Sequence, residues 1–181
     1  MDSLTAFTEP LIEAERVNSL ALTLIKALAC GVPDIYRGCE VWDTSLVDPD
    51  NRRPLDHGAL ARLLDRPADA TPEDALALAA EGGPKLYLLR HALALRARLD
   101  LPDEHMPLEV SGPGAQHVFA FARGPAVAVV PRLVLSRPPD RGEARVALPP
   151  GRWRNVLTGE AATGRAGELL ARFAVALLQR V

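Results

Sequence analysis

The sequence predicts an α+β chain in two parts: helices with one short strand over residues 1–103, then an antiparallel β-sandwich over 104–181. Three observations carry this. Two long N-terminal stretches repeat apolar residues at three- and four-residue steps. After Leu101-Pro102 the texture changes to short apolar runs separated by turn signals, at a spacing of about 8–12 residues that suits a sandwich. Sixteen Pro and 13 Gly among 181 residues are too many for a plain helical bundle.

From the N-terminus, residues 11–29 read as a helix, with Val17, Leu20, Ala21, Leu24, Ile25 and Leu28 on one face and Gly31 and Pro33 ending it. Residues 32–36, apolar except for Asp34 and bounded by Gly31 and Gly38, suit a short buried strand. The stretch 37–56, RGCEVWDTSLVDPDNRRPLD, is polar and lacks a regular period; loops of this length in compact domains tend to be functional. A short helix is predicted over 57–64. A further helix starts at Thr71, with Pro72 at the first helical position and Glu73-Asp74 in the first turn. Residues 84–99 form an amphipathic helix whose apolar arc holds Leu88, Ala92, Leu95 and Leu99, flanked by Leu86, Leu89 and Leu93. Arg96 falls inside that arc. Either it snorkels at the arc's edge or it is buried against a carboxylate. The strand-like runs that follow are HVFAFARG, AVAVVPRLVL, ARVALPPG, RWRNVLTG and ARFAVALLQRV.

Composition excludes several functions. Apolar residues make up 48% and charged residues 24%, enough for a core. No run approaches the ~20 apolar residues of a membrane helix. The start, MDSLTAFTEP, has no basic or apolar region of a signal peptide, so a cytoplasmic setting is expected, with Cys30 and Cys39 as free thiols. A net charge of −2 argues against a nucleic-acid partner. All 21 basic residues except Lys26 and Lys85 are Arg, a compositional bias, so Arg52-Arg53 or Arg137 alone is no phosphate site. His57, His91, His105 and His117 lack metal-ligand spacing. The acidic run DTSLVDPDN has neither the Gly nor the terminal Glu of a calcium loop. No metal and no cofactor is expected.

The segment around residue 40 carries a resemblance. Gly31, Pro33, Tyr36, Gly38 and Glu40, followed by Asp48, Pro49, Asn51 and Arg52, resemble the end of a catalytic barrel in the α-amylase superfamily. The finer similarity is to the maltooligosyl trehalose synthase family. It rests on Asn18-Ser19-Leu20, Gly31 through Tyr36, Glu40, Trp42-Asp43 and the specific run Ser45 through Pro54. The tail adds Ala120 through Gly124, Trp153, Leu157-Thr158-Gly159 and Val175 through Leu178. The family usually has Pro before Gly31, Gln at 37 and Thr at 39, where this chain has Cys30, Arg37 and Cys39. The resemblance implies that residues 1–103 are the C-terminal part of a (β/α)8 barrel, with 32–36 its last strand and 37–56 an active-site loop. Such a barrel takes about 250 residues, so the catalytic carboxylates belong to earlier strands and no residue here is assigned a catalytic role.

By the same resemblance, the reaction turns the reducing-end α-1,4 linkage of a maltooligosaccharide into an α,α-1,1 linkage by intramolecular transglucosylation. The partners implied are that glucan and the missing N-terminal part of the barrel, in cis or in trans. Barrel active sites lie at the carboxyl ends of the strands, which makes Asp48 and Arg52 the first candidates for sugar hydroxyls and Asn51 and Arg53 the second; Trp42 and Tyr36 offer stacking faces. Each has a structural alternative. Asp48 through Asn51 also form a plain turn, Asp48 and Arg52 can brace each other, Trp42 can wall the core, and Tyr36 can pack inside the barrel. Two other functions stay open: a glucan-binding module carried by 104–181, which the 4% aromatic content disfavours, and a module that completes a barrel without catalysis of its own. On the fragment reading, residues 1–100 expose a large apolar patch.

Overall fold

The computed structural model describes residues 2–44, 54–65, 70–136 and 143–181. Helix α1 runs Asp2–Leu28, nine residues earlier than the apolar period indicates, and carries Pro10 inside it. The extra turns bury little: Leu4 and Phe7 are each 70% exposed. Periodicity marks burial rather than helicity, so it is silent where no face is covered. From Leu20 to Leu28 the expected face is buried, with Leu24 fully so.

Within this chain the segment 32–36 pairs with no described strand. Its residues carry no ladder, and Val32 is 93% exposed. A strand needs a neighbour for its N–H and C=O groups, and none of the described strands lies beside it. Val32 and Tyr36 are exposed, as are Leu4, Phe7, Leu11, Ile12 and Leu22 on α1.

Helix α2, His57–Leu64, is capped by Asp56, whose carboxylate accepts from the Ala59 amide at 2.8 Å. Helix α3, Pro72–Leu76, starts as predicted. The Thr71 hydroxyl accepts from the Asp74 amide, and the Asp74 carboxylate accepts from the Thr71 amide. Helix α4, Gly83–Arg98, buries Leu88, Ala92 and Leu95 on its expected arc, plus Tyr87 and Leu89. The Tyr87 hydroxyl donates to the Leu157 carbonyl at 2.5 Å, tying α4 to the C-terminal part.

That part is antiparallel, as predicted. Strands β1 (Met106–Pro107), β3 (Val118–Arg123), β4 (Ala126–Pro131), β6 (Trp153–Asn155) and β7 (Ala176–Arg180) make one sheet in the order β1-β3-β4-β7-β6. Strands β2 (Val110–Ser111) and β5 (Arg145–Val146) pair separately. One face of the large sheet, with Phe121, Ala128, Val130 and Leu177, packs on α1 and α4. The other, with Ala120, Val127, Val129 and Leu178, packs on Val146 and on the short helix α5, Ala166–Leu169. Strand β4 is therefore buried on both faces, which is why AVAVVP reads as an unbroken apolar run rather than an alternation.

The C-terminus of α1 is where these layers meet. A helix ends with carbonyls that have no intrahelical partner. Arg123 is 3% exposed and donates to the Leu28 and Ala29 carbonyls at 3.3 and 2.9 Å and to the Pro102 carbonyl at 2.6 Å. Arg96 donates to Ala27 and Ala29 at 3.1 and 3.0 Å and to Gly31. Among the described residues Arg96 thus neither snorkels nor pairs with a carboxylate. Its partners are backbone oxygens, and its charge faces the negative end of the helix dipole.

A second brace joins the two parts at the surface. Arg172 bonds the Glu73 carboxylate at 2.8 Å, Glu160 at 3.3 Å and the Thr158 carbonyl. The hydrogen bond from Arg172 holds the Glu73 carboxyl below its ordinary 4.5.

Replacing Arg123 by Met strands buried carbonyls and should cost about 2–4 kcal/mol in urea unfolding. Asp103, whose side chain is fully exposed 3.7 Å from Arg123, should leave the midpoint unchanged as Asp103→Asn. The Glu73 brace sets an acid limb. The folded state binds fewer protons at this site, so its stabilisation is complete above 4.5 and is lost as pH falls through the lowered value. Urea midpoints of Glu73→Gln should therefore fall less steeply than wild type between about pH 5 and 3.

Candidate functional site

The segment expected to carry function leaves 32–36 through two turns. The Cys39 amide donates to Tyr36 at 3.0 Å and the Val41 amide to Gly38 at 3.4 Å. It then lies against the start of α4, and this close approach depends on Gly82. That residue has φ +85°, and a Cβ there would lie 2.5 Å from the Val41 Cβ and 2.9 Å from the Trp42 nitrogen. Only glycine allows both the left-handed backbone and the contact.

Trp42 is thereby fixed. Its indole N–H donates to the Ala79 carbonyl at 2.5 Å, and the ring packs against the core, so the wall-of-core reading describes one edge of it. The Arg16 guanidinium stands 5.7 Å from the ring centroid. Trp42 also lines two open grooves along α1, one with Thr8, Ile12, Glu15 and Thr44, the other with Glu13, Leu76 and Pro84.

The residues flanking Trp42 in the chain include a small polar cluster. The Cys39 thiol donates to Asp43 at 3.5 Å, and burial, then Asp43, pushes its pKa up from 9.0. Lys85 is 8% exposed, and burial pulls its pKa down. It faces Cys39, Asp43 and Glu15, with Lys26 as a like charge. Glu40 keeps one carboxylate oxygen buried without a hydrogen-bond partner among the described residues. An indole face with a guanidinium and carboxylates at its rim is a surface for a polyhydroxylated ligand: ring faces stack, and charged groups take hydroxyls.

Of the six candidate contact residues, Trp42 and Tyr36 are described, whereas Asp48, Asn51, Arg52 and Arg53 lie outside the described residues. Tyr36 is 54% exposed. The neighbours that the sequence reading passed over are Arg16, Lys85 and the Ala79 carbonyl. They come from other elements, and no spacing rule links them to Trp42. Lys85 did carry one signal, as a lysine on the helix that buries the core. Among the described residues no three His, Cys, Asp or Glu side chains converge as a metal site, and no helix is long and apolar enough to cross a membrane.

No protein-family model matches the chain. It is 38% identical over 172 residues to a putative maltooligosyl trehalose synthase of Mycobacterium tuberculosis, a match covering 90% of this chain and 20% of that protein. Among solved structures it superposes on maltooligosyltrehalose synthase from Arthrobacter ramosus with a TM-score of 0.84 and 37% identity, over 98% of this chain and 24% of that one. A hypothetical maltooligosyl trehalose synthase of Sulfolobus tokodaii gives 0.71 and 26%, over 99% and 23%. The chain thus resembles these synthases over nearly all its residues and spans about a fifth to a quarter of their length.

Gly82→Ala tests how the segment is held. It should cost about 2–3 kcal/mol in urea unfolding, through left-handed strain and displacement of residues 41–42.

Proposed function

We propose that this chain is the C-terminal part of a maltooligosyl trehalose synthase, the remainder supplied in cis or by another polypeptide. The observation that carries the reading is the 0.84 TM-score over 98% of the chain at 37% identity. The reaction class is then intramolecular transglucosylation in trehalose biosynthesis, turning a reducing-end α-1,4 linkage into α,α-1,1. On this reading 32–36 becomes the last strand of a (β/α)8 barrel, α1 and α4 its flanking helices, and the C-terminal sheets a sandwich domain. The backbone of 32–36, which joins no ladder, and the exposed Val32 support a surface completed by more polypeptide. The same observation favours the second reading, a barrel-completing module without catalysis of its own. The free thiols Cys30 and Cys39 fit a cytoplasmic setting.

The chemistry assigned to this chain is binding. A retaining mechanism uses one carboxylate as nucleophile and another as acid and then base; both belong to the remainder. The released glucose must turn and attack again before water does, so the pocket must hold sugar and exclude solvent. Trp42 offers its ring face beside Arg16 and Asp43. Asp48 and Arg52, with Asn51 and Arg53, follow on the same loop as partners for sugar hydroxyls, and Tyr36 stands at its start.

A hybrid in which this chain replaces the corresponding quarter of the Arthrobacter ramosus enzyme tests the reading. The folded hybrid should form α,α-1,1-linked product from maltopentaose, and this chain alone should form none. Rearrangement by the chain alone, or a folded hybrid without that product, would overturn it. Within an active hybrid, Arg52→Ala should lower transglucosylation relative to hydrolysis about tenfold, equivalent to about 1.4 kcal/mol. An unchanged product ratio would remove Arg52 from the pocket.

A further inference from the structure

Arg16 is half-buried on α1, with its guanidinium 5.7 Å from the centroid of the Trp42 ring. Among the described residues that ring is its only partner: the guanidinium makes no hydrogen bond and no ion pair. Helical spacing offers Glu13, three residues earlier on the same helix, as an ion-pair partner, and that pair does not form. Arg96, Arg123 and Arg172, by contrast, spend their donors on carbonyls and carboxylates. The Trp42 ring is held from elsewhere. Its indole N–H donates to the Ala79 carbonyl, and Gly82 makes room for residues 41–42. Arg16 and Trp42 together line both open grooves along α1. One groove is rimmed by the hydroxyls and carboxylates of Thr8, Glu15, Asp43 and Thr44. The other has an apolar wall of Val17, Leu20, Leu76 and Pro84.

A guanidinium lying over an aromatic face keeps its N–H groups, which lie in its own plane, for other acceptors. We propose that Arg16 is a specificity-determining residue of the glucan pocket: lying over Trp42, it donates to hydroxyls of a glucosyl unit in the polar groove. The inference rests on the transglucosylation reading above and gives that pocket a contact from α1, outside the loop 37–56. The groove supplies the complementary groups. Carboxylates of Glu15 and Asp43 accept hydroxyl protons, the Thr8 and Thr44 hydroxyls donate or accept, and the guanidinium only donates. A glucose freed inside the pocket must be kept while it turns. Without the Arg16 donors it is released to water more often, and hydrolysis gains on rearrangement.

The test uses the hybrid described above and D-glucose as the probe, with binding read by calorimetry so that no turnover is needed. Arg16→Met keeps an unbranched side chain over the ring and removes the donors. It should weaken glucose binding about tenfold and, in an active hybrid, raise free glucose relative to α,α-1,1-linked product by a similar factor. Arg16→Lys, which keeps a cationic donor, should recover part of both. Trp153 is 4% exposed, so acrylamide quenching of this chain's fluorescence reports Trp42, and Arg16→Met should leave it unchanged. No binding of glucose, or binding and product ratio unchanged in Arg16→Met, would overturn the proposal. So would weaker binding accompanied by altered Trp42 quenching, which would mean that Arg16 only holds the ring. A folded hybrid that forms no α,α-1,1-linked product yet binds glucose through Arg16 overturns the transglucosylation reading and leaves the sugar contact standing; one that does neither overturns both.

Discussion

Everything in this molecule is referred to the last turn of α1. Its carbonyls point at two guanidinium groups, Arg96 from α4 and Arg123 from β3, and Arg123 reaches the Pro102 carbonyl as well. Helix, helix, sheet and connecting chain are thereby fixed at one point by charge-assisted bonds to backbone. A buried charge is costly unless its donors are matched. Here carbonyls match them, which need no second ion and cannot be protonated away. With that corner set, the apolar faces of α1 and α4 lie on Phe121, Ala128 and Leu177 in one continuous core. The segment leaving α1 then has one direction to take, toward the start of α4 and the seat of Trp42.

What the sequence disclosed follows from how each signal works. The helix start at Thr71 and the apolar arc of α4 are local, carried by residues a few positions apart, and both are present in the structure. The apolar run of β4 marked it as a strand, and the structure shows that both its faces are covered. The first turns of α1 were not, because nothing covers Leu4 and Phe7 and no pattern forms. The strand at 32–36 was read from composition and bounding glycines, but a strand is a relation between two segments, and this chain's own strands lie elsewhere. Arg96 was recognised as out of place on its arc; its partners, about 65 to 69 residues away along the chain, are backbone atoms that no side-chain pattern reveals.

The candidate site divides the same way. Trp42 was legible as an aromatic in a loop of unusual length, whereas its setting is tertiary: a carbonyl from residue 79, a guanidinium from residue 16 and a glycine at 82 that makes room. The recognisable run from Ser45 to Pro54 derives its meaning from likeness to relatives, not from period or charge. Geometry and likeness therefore inform different residues of one loop.

The exposed stretch from Val32 to Tyr36 has a further consequence for how the chain behaves in company. A bare edge with an apolar residue is a template on which another copy can stack and spread. Two of its five residues work against that outcome. Pro33 has no amide proton to offer a stacking strand, and Asp34 sets a negative charge in the middle, where identical copies in register would repel. The same pair makes the stretch a poor template for a second copy of itself.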